Sequence, residues 1–329
     1  MPSLIAKMFD WIFTHGDCDG ICSGALALSV SPGAKVFFTH PYGLAEDLQQ
    51  VNSNKRVLVC DIALSEANLD RILKKFEEIA KNGSLTYIDH HPLPEEVKPE
   101  DIPGTVIHRE DHSASELTYT FLEKKLDILM SRVAIYGAVA DYLDNTPEIE
   151  ELLRLWDKRT VYFETGILVQ GIEGKKREYD FKREIVYQLS RNIPPSFNQK
   201  LLDHALEITR YEEKLLELVR KKVRVYGEIA YVLEVSPFLG KSAIYSMAVT
   251  GKLIGMAGER RRNMIDISVR TRSKILDLNK ILRKVAVKLK GSGGGHKRAA
   301  GARIPEDKFE EFLDMLNEEI TTTLDLQGS

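Results

Sequence analysis

The sequence predicts an α/β protein in which a mostly parallel sheet domain is joined by a helical connector to a smaller mixed α/β domain. Three observations predict it. The first 145 residues alternate short β-type runs with stretches of helical spacing, the pattern of a parallel sheet covered by helices on both faces. From Asp111 to about Arg224 the β signal fades into helical periodicity, and beyond Glu228 the two patterns mix again. For 329 residues, ~150 residues per domain gives about two domains, and the boundaries fall at 1–190, 191–226 and 227–329.

The elements follow in order. WIFTH (Trp11–His15), KVFFTH (Lys35–His40), KRVLVCD (Lys55–Asp61) and SLTYID (Ser84–Asp89) are short, β-branched or aromatic, and end at polar clusters, as buried strands do. Between them GICSGALALSV, GLAEDLQQV and SEANLDRILKKFEEIAKNG have helical spacing, the last closed by Asn82-Gly83. SASELTYTFLEKK, LMSRVAIYGAVADYLD and PEIEELLRLWDKR are helical, with Ser113 and Glu116 placed as a capping box. After a charged stretch and the Pro194-Pro195 break, FNQKLLDHALEITRYEEKLLELVRKKVRVYG reads as one long connecting helix. EIAYVLEV, KLIGMAG and NMIDISVRTR then read as strands, and LDLNKILRKVAVKLK and PEDKFEEFLDMLNEEI as helices.

Composition narrows the function. Lys and Arg total 46 against 49 Asp and Glu, a formal net charge of -3, so a whole-protein basic field is excluded and a polyanion must be held by a local patch. Cys18, Cys22 and Cys60 are too few for a disulfide framework, suit a reducing compartment, and read as small buried fillers. MPSLIAKMFD lacks the pattern of a secretory signal, and the uncharged run from Gly20 to Ala34 is too short to span a bilayer. The expected location is cytoplasmic, with no membrane partner.

The acids sit at informative places. His15-Gly16-Asp17-Cys18-Asp19-Gly20 follows the first strand, Asp61 ends the third, and Asp89-His90-His91 ends the fourth. Asp141 lies one helical turn beyond Gly137 in GAVAD. An open parallel sheet keeps its site at the carboxyl ends of its strands. A single Asp there is an ordinary turn former or cap, but several consecutive strand ends carrying such groups form a pattern. Carboxylates and imidazoles without thiolate suit Mn²⁺, Mg²⁺ or a mixed-ligand Zn²⁺, and their number suits a two-metal cluster.

HGDCDG, VCD, DHHP and GAVAD, in that order, resemble the four motifs of the DHH phosphoesterase superfamily, and GSGGGHKRAAGARI (Gly291–Ile304) resembles the signature of the DHHA1 substrate domain. The chain is similar to RecJ-type exonucleases, especially the compact archaeal ones, including the Hef-associated nuclease type, and to the nanoRNase and pAp-phosphatase group. The resemblance implies that His15, Asp17 and Asp61 hold one metal and Asp19, Asp61, His90 and Asp141 the other, with Asp61 bridging. It implies two divalent ions, Mn²⁺ foremost with Mg²⁺ or Co²⁺ as alternatives. His91 is then aimed at the scissile phosphate, and Asp89 orients the histidines.

Near the C-terminus the glycines at 291, 293, 294, 295 and 301 let backbone amides approach a phosphate, and His296, Lys297 and Arg298 add donors. A P-loop is excluded because its Gly-Lys-Ser/Thr ending is absent. Gly294, Gly295, His296, Arg298 and the upstream Arg270 are the expected substrate-binding residues. Arg260, Arg261, Arg262, Arg270, Arg272 and Lys274 against one acid, Asp266, suggest either a backbone track or a solvated hairpin. On a strand, Arg270 and Arg272 would share a face. The expected activity is metal-dependent exonucleolytic removal of nucleotides from single-stranded DNA or short RNA, leaning 3′ to 5′, with the substrate in a cleft between the two domains. The alternatives are a pAp phosphatase or dinucleotide phosphodiesterase and, from another class, a non-catalytic subunit of a repair or replication complex. A repair or replication protein is also an expected partner.

Overall fold

The computed structural model describes residues 7–175, 177–235 and 237–328. The first strand, β1 (Trp11–Thr14), turns into α1 (Cys18–Ser29), followed by β2 (Lys35–Phe38) and the single turn α2 (Leu44–Asp47). Next come β3 (Arg56–Cys60), α3 (Leu69–Asn82), β4 (Ser84–Asp89) and β5 (Thr105–His108). These strands form a parallel sheet in the order β2-β1-β3-β4-β5. Five helices complete the region: α4 (Ala114–Leu122), α5 (Ser131–Ala140), α6 (Pro147–Leu153), α7 (Lys158–Ile172) and α8 (Tyr179–Ser190).

Both faces of this sheet are buried, which is why its strands read as continuous apolar runs. Ile12, Leu58, Cys60 and Ile88 point into a core shared with α1, α4, α5, α7 and α8. Phe13, Val57, Val59 and Tyr87 point the other way, onto Ile72, Phe76 and Ile79 of α3. Those three lie on one face of α3 because three- and four-residue steps return a helix to the same side. The sheet therefore has a closed body and an open carboxyl edge, where the polar strand ends collect.

The chain divides into two compact units between Ile208 and Thr209, inside the long helix α9 (Gln199–Lys222). That helix stops at Lys222, short of the expected run to Gly227. The next residues form β6 (Arg224–Tyr226), which folds back antiparallel on β7 (Ile229–Leu233) through Gly227 at φ +55°. The second unit continues with α10 (Leu239–Thr250), β8 (Ile254–Arg261), β9 (Met264–Thr271) and α11 (Leu278–Lys288). β10 (Ser292–Gly295), β11 (Ala299–Pro305) and α12 (Phe309–Gly328) close it. Its mixed sheet runs β10-β11-β9-β8-β7-β6, with only β7 and β8 parallel. Ile265, Ile267 and Val269 alternate inward from β9 onto Leu282 and Val285 of α11 and Phe312 and Leu316 of α12.

β5 was not read from the sequence. Its four residues follow Pro103-Gly104 and form a half-exposed edge strand, too short for periodicity to register. Among the described residues no helix is long and apolar enough to cross a membrane. Residues 1–6 of the segment read as non-secretory lie outside the described residues. All three cysteines are buried and free, in keeping with packing roles, and burial pushes the Cys60 thiol up to about 12.

Candidate metal centre

The first turn after β1 is shaped by its own side chains. Asp17 is the N-cap of α1, its Oδ1 accepting from the Gly20 amide at 3.0 Å. Gly20 permits the tight fold, since a Cβ there would sit 2.3 Å from the His15 carbonyl oxygen. Asp19 is fully buried, and its two oxygens accept from the Ala114 and Ser115 amides at 2.7 and 2.9 Å, at the N-terminus of α4. The positive end of that helix stabilises the carboxylate. Asp61 follows β3 with φ +56°, a left-handed conformation that Asp tolerates better than most residues. Asp141 closes α5 as its C-cap.

These side chains converge. His90 Nε2 lies 3.3 Å from Asp61 Oδ1, 3.5 Å from Asp141 Oδ2 and 3.9 Å from Asp19 Oδ2. His15 Nδ1 is 2.6 Å from Asp17 Oδ2. Candidate ligand atoms of His15, Asp17 and Asp61 lie within 4.8 Å of one another, as do those of Asp19, His90 and Asp141. Asp61 is thus near both groups.

Without a cation this arrangement is electrostatically unfavourable. Burial, then the charges of Asp17, Asp19, Asp141 and Asp89, push the Asp61 carboxyl well above the usual range. Burial followed by Asp19 and Asp17 does the same to Asp141, and burial raises Asp19. Burial also lowers His90, so this imidazole, which faces Asp19, Asp61 and Asp141, does little to offset their charge. Asp17 moves the other way: burial opposes ionisation, but the adjacent His15 holds it low. Asp61 Oδ2 is buried and meets no hydrogen-bond partner among the described residues. An orphaned carboxylate oxygen amid hard O and N donors fits divalent cations, with His15, Asp17 and Asp61 on one side and Asp19, Asp61, His90 and Asp141 on the other.

His91 is held separately. Its Nδ1 lies 2.9 Å from Asp89 Oδ1, and Tyr87 donates its hydroxyl to Asp89 Oδ2 at 2.9 Å. Burial lowers the imidazole, but the charge of Asp89 outweighs it and raises His91 to about 9. The ring is therefore a fixed, cationic hydrogen-bond donor in the metal-free chain.

A 560 Å³ cavity opens beside His15, Asp17 and Asp141. Its wall includes His40, Arg177 and Lys182, none of them expected from the sequence. Lys182 Nζ donates to the Gly16 carbonyl at 2.5 Å, bringing a buried cation against the first metal-type turn. His40 lies two residues beyond β2 and ends the run KVFFTH read from the sequence, so the strand-end logic that picked out Asp61 applied to it. Arg177 and Lys182 sit in the charged stretch before and within α8, where no spacing distinguishes them.

In the second unit the glycine-rich stretch forms a hairpin of β10 and β11, a pairing that the sequence alone did not specify. Gly294 and Gly295 take φ of +157° and +142°, which only glycine adopts readily, and a Cβ on Gly295 would sit 2.7 Å from the Ala299 carbonyl oxygen. The Gly295 amide donates to Asn279 Oδ1 at 3.0 Å, and the His296 amide to the Ala299 carbonyl at 2.8 Å. His296 is half-buried at this turn, and Lys297 and Arg298 are exposed. Arg270 Nη1 donates to Ser268 Oγ at 2.9 Å, and its guanidinium lies against Gly240.

Two expectations are corrected here, and one of the two readings left open for the arginine triplet is favoured. The arginine triplet is a solvated hairpin rather than a free track, because Arg260 pairs with Glu234 and Glu306, Arg261 pairs with Glu259 and Asp266, and Arg262 occupies the turn at φ +59°. Arg272 lies beyond the end of β9 and donates to the Lys252 carbonyl, so it does not share a strand face with Arg270. The capping box is half formed: Ser113 Oγ accepts from the Glu116 amide at 3.1 Å, but the Glu116 carboxylate turns instead to the Thr146 hydroxyl at 2.7 Å.

Carboxylates and imidazoles at the carboxyl edge of a parallel sheet, with a cationic histidine alongside, are a donor set that suits divalent cations. Residues 11–144 match the model of the DHH family, N-terminal domain, and residues 242–322 match that of the DHHA1 domain. The chain belongs to the DHH/DHHA1 phosphoesterase superfamily. It is 22% identical to the oligoribonuclease NrnB of Bacillus subtilis (strain 168), over 92% of this chain and 74% of that protein. Among solved structures it resembles a DHH domain described as a member of the s1p family of ribosomal proteins, with a TM-score of 0.69 and 16% identity over 94% of this chain and 86% of that one. RecJ from Thermus thermophilus in complex with Mn²⁺ matches with a TM-score of 0.65 and 16% identity, over 95% of this chain and 52% of RecJ.

Proposed function

We propose that the chain is a metal-dependent phosphodiesterase that removes nucleotides from an end of single-stranded DNA or short RNA, with a 3′ to 5′ direction. The carrying observation is the convergence of Asp17, Asp19, Asp61, Asp141, His15 and His90 at one sheet edge, with Asp61 near both groups. The similarity to an oligoribonuclease and the fold shared with RecJ support a nucleic acid substrate. His15, Asp17, Asp19, Asp61, His90 and Asp141 would hold divalent ions there, Mn²⁺ by preference, which when bound would supply an acidified water and positive charge against the phosphate.

The chain's own residues do the rest. The His15–Asp17 turn and Asp61 orient one side of the site, and the amides of α4 orient Asp19 on the other. Asp89 fixes the His91 ring through Nδ1, so that Nε2 is the atom to donate to a phosphate oxygen or the leaving oxygen. Lys182 and Arg177 add positive charge on the cavity wall. In the second unit Gly294, Gly295, His296, Arg298 and Arg270 form the phosphate grip.

One assay tests the reading. The protein is incubated with Mn²⁺ and, separately, single-stranded DNA and short RNA labelled at either end, and pAp, and the set is repeated with Asp61→Ala. A single-nucleotide ladder running from the 3′ end, abolished in the variant, is expected. Inactivity on every substrate, or equal activity of Asp61→Ala, overturns it, and hydrolysis of pAp alone replaces the nuclease with a small-nucleotide phosphatase.

A further inference from the structure

A second cluster of ligating groups lies at the start of α4, apart from the centre described above. His112 and Glu116 are 3% and 1% exposed, and Glu148, on the first turn of α6, is half exposed. His112 Nδ1 lies 2.8 Å from Asp111 Oδ1, so Nδ1 donates to that carboxylate. Nε2 faces two further carboxylates, Glu148 Oε2 at 3.5 Å and Glu116 Oε1 at 3.7 Å. His112 Nε2 and Glu116 Oε2 are both buried without a hydrogen-bond partner.

A proton on Nε2 does not resolve this. At 3.5 and 3.7 Å neither carboxylate is a good acceptor, so an imidazolium here would carry an unsatisfied N–H in a buried site. A cation among the three groups does resolve it. Ligands about 2.0–2.1 Å from a tetrahedral ion stand about 3.3–3.4 Å apart, close to the observed spacings. Asp111, behind the imidazole, is the carboxylate that commonly orients a ligating histidine. The charges also match: Asp111, Glu116 and Glu148 face one guanidinium, Arg109, which is 3.5 Å from Asp111 and 3.6 Å from Glu148. The remaining negative charge is that of one divalent cation.

We propose that His112, Glu116 and Glu148 form a separate divalent-cation site of the zinc class, open to solvent through Glu148. The ion is structural. It ties α4 to the start of α6, where Thr146 caps α6 and donates to Glu116. The amides two and three residues beyond His112 hold Asp19, and the segment leading to Thr146 begins at Asp141. The site therefore braces two of the groups on which the main centre depends. The inference stands on its own geometry and does not rest on the proposed nuclease activity.

The test measures bound zinc by mass spectrometry after equilibrium dialysis of the full chain against Zn²⁺, for the natural sequence, His112→Gln and Glu148→Gln. Each variant is expected to bind one equivalent fewer than the natural chain, whatever the count at the other centre, and Zn²⁺ is expected to raise Tm less in the variants. Glu148 is half exposed, so Glu148→Gln keeps the test valid if His112→Gln fails to fold. Equal zinc content in folded Glu148→Gln and the natural chain overturns the proposal, as does a proton on His112 Nε2, seen by nitrogen-15 NMR, in zinc-saturated protein.

Discussion

Gly137 lies inside α5, where alanine would ordinarily be favoured by about 1 kcal/mol. Here the expected sign is reversed. A Cβ at position 137 would sit 2.2 Å from Ser115 Oγ and 2.4 Å from Asp19 Oδ1, against ordinary contacts of about 3.5 Å. Relief takes a shift of about 1 Å, either of α5 away from α4 or of Asp19 away from the Ala114 and Ser115 amides. Overpacking costs about 1–3 kcal/mol, and weakening a hydrogen bond to a buried charge costs about 1.5–3 kcal/mol. After subtracting the helix gain, Gly137→Ala is expected to destabilise the chain by about 2 kcal/mol. A 1 Å displacement of a group in the reacting centre costs about 10²-fold in rate. Urea unfolding and Mn²⁺-dependent hydrolysis of a short labelled RNA read the two effects. Gly166→Ala in α7 is the control, since nothing lies within 4 Å of a Cβ there. If Gly137→Ala matches Gly166→Ala in both stability and rate, the close approach of α5 to Asp19 is not what the glycine serves.

Other outcomes follow from the same structure. Arg56 donates to both oxygens of Asp10, at 3.0 and 3.1 Å, and holds its carboxyl at about 2. Because that pKa is depressed on folding, the contribution is present above the unfolded value and lost as pH falls through about 2. Asp10→Asn is expected to cost about 1 kcal/mol after solvent screening, measured by denaturation at pH 7, with the difference from the natural chain vanishing near pH 2. In chelator-treated protein the His91 ring is expected to titrate near 9 by NMR, and added Mg²⁺ to lower that midpoint. This raised group stabilises the metal-free fold below its unfolded pKa, and the gain is lost as pH rises through about 9. Gly295→Ala forces a side chain into φ +142° and against the Ala299 carbonyl, so KM is expected to rise about tenfold while Mn²⁺ affinity stays unchanged.

The metal-type residues were legible because each closes a predicted strand or a helix, and a parallel sheet leaves those ends at one edge. His15, Asp17, Asp19, Asp61, His90 and Asp141 are brought together in the structure as that logic implies. The glycine-rich stretch was legible as an unusual turn, since its backbone conformations need glycine at 294 and 295, but its pairing into a hairpin was not. What stayed hidden depends on contacts between distant elements. Lys182 reaches Gly16 across 166 positions from a uniformly charged stretch. Glu116 looks like half of a capping box until Thr146, 30 residues on, captures its carboxylate. The arginine triplet carries no field of its own because Glu259 on the same strand and Glu234 and Glu306 from elsewhere in the chain pair with it. Local pattern specifies element ends well, and tertiary pairing of charges poorly.

Asp61 is proposed to stand between two divalent ions. Anomalous diffraction at the manganese edge, from crystals of the full chain grown with Mn²⁺, tests this placement. Two peaks flanking Asp61 are expected, one bounded by His15 and Asp17 and the other by Asp19, His90 and Asp141. A single peak, or none touching Asp61, contradicts it.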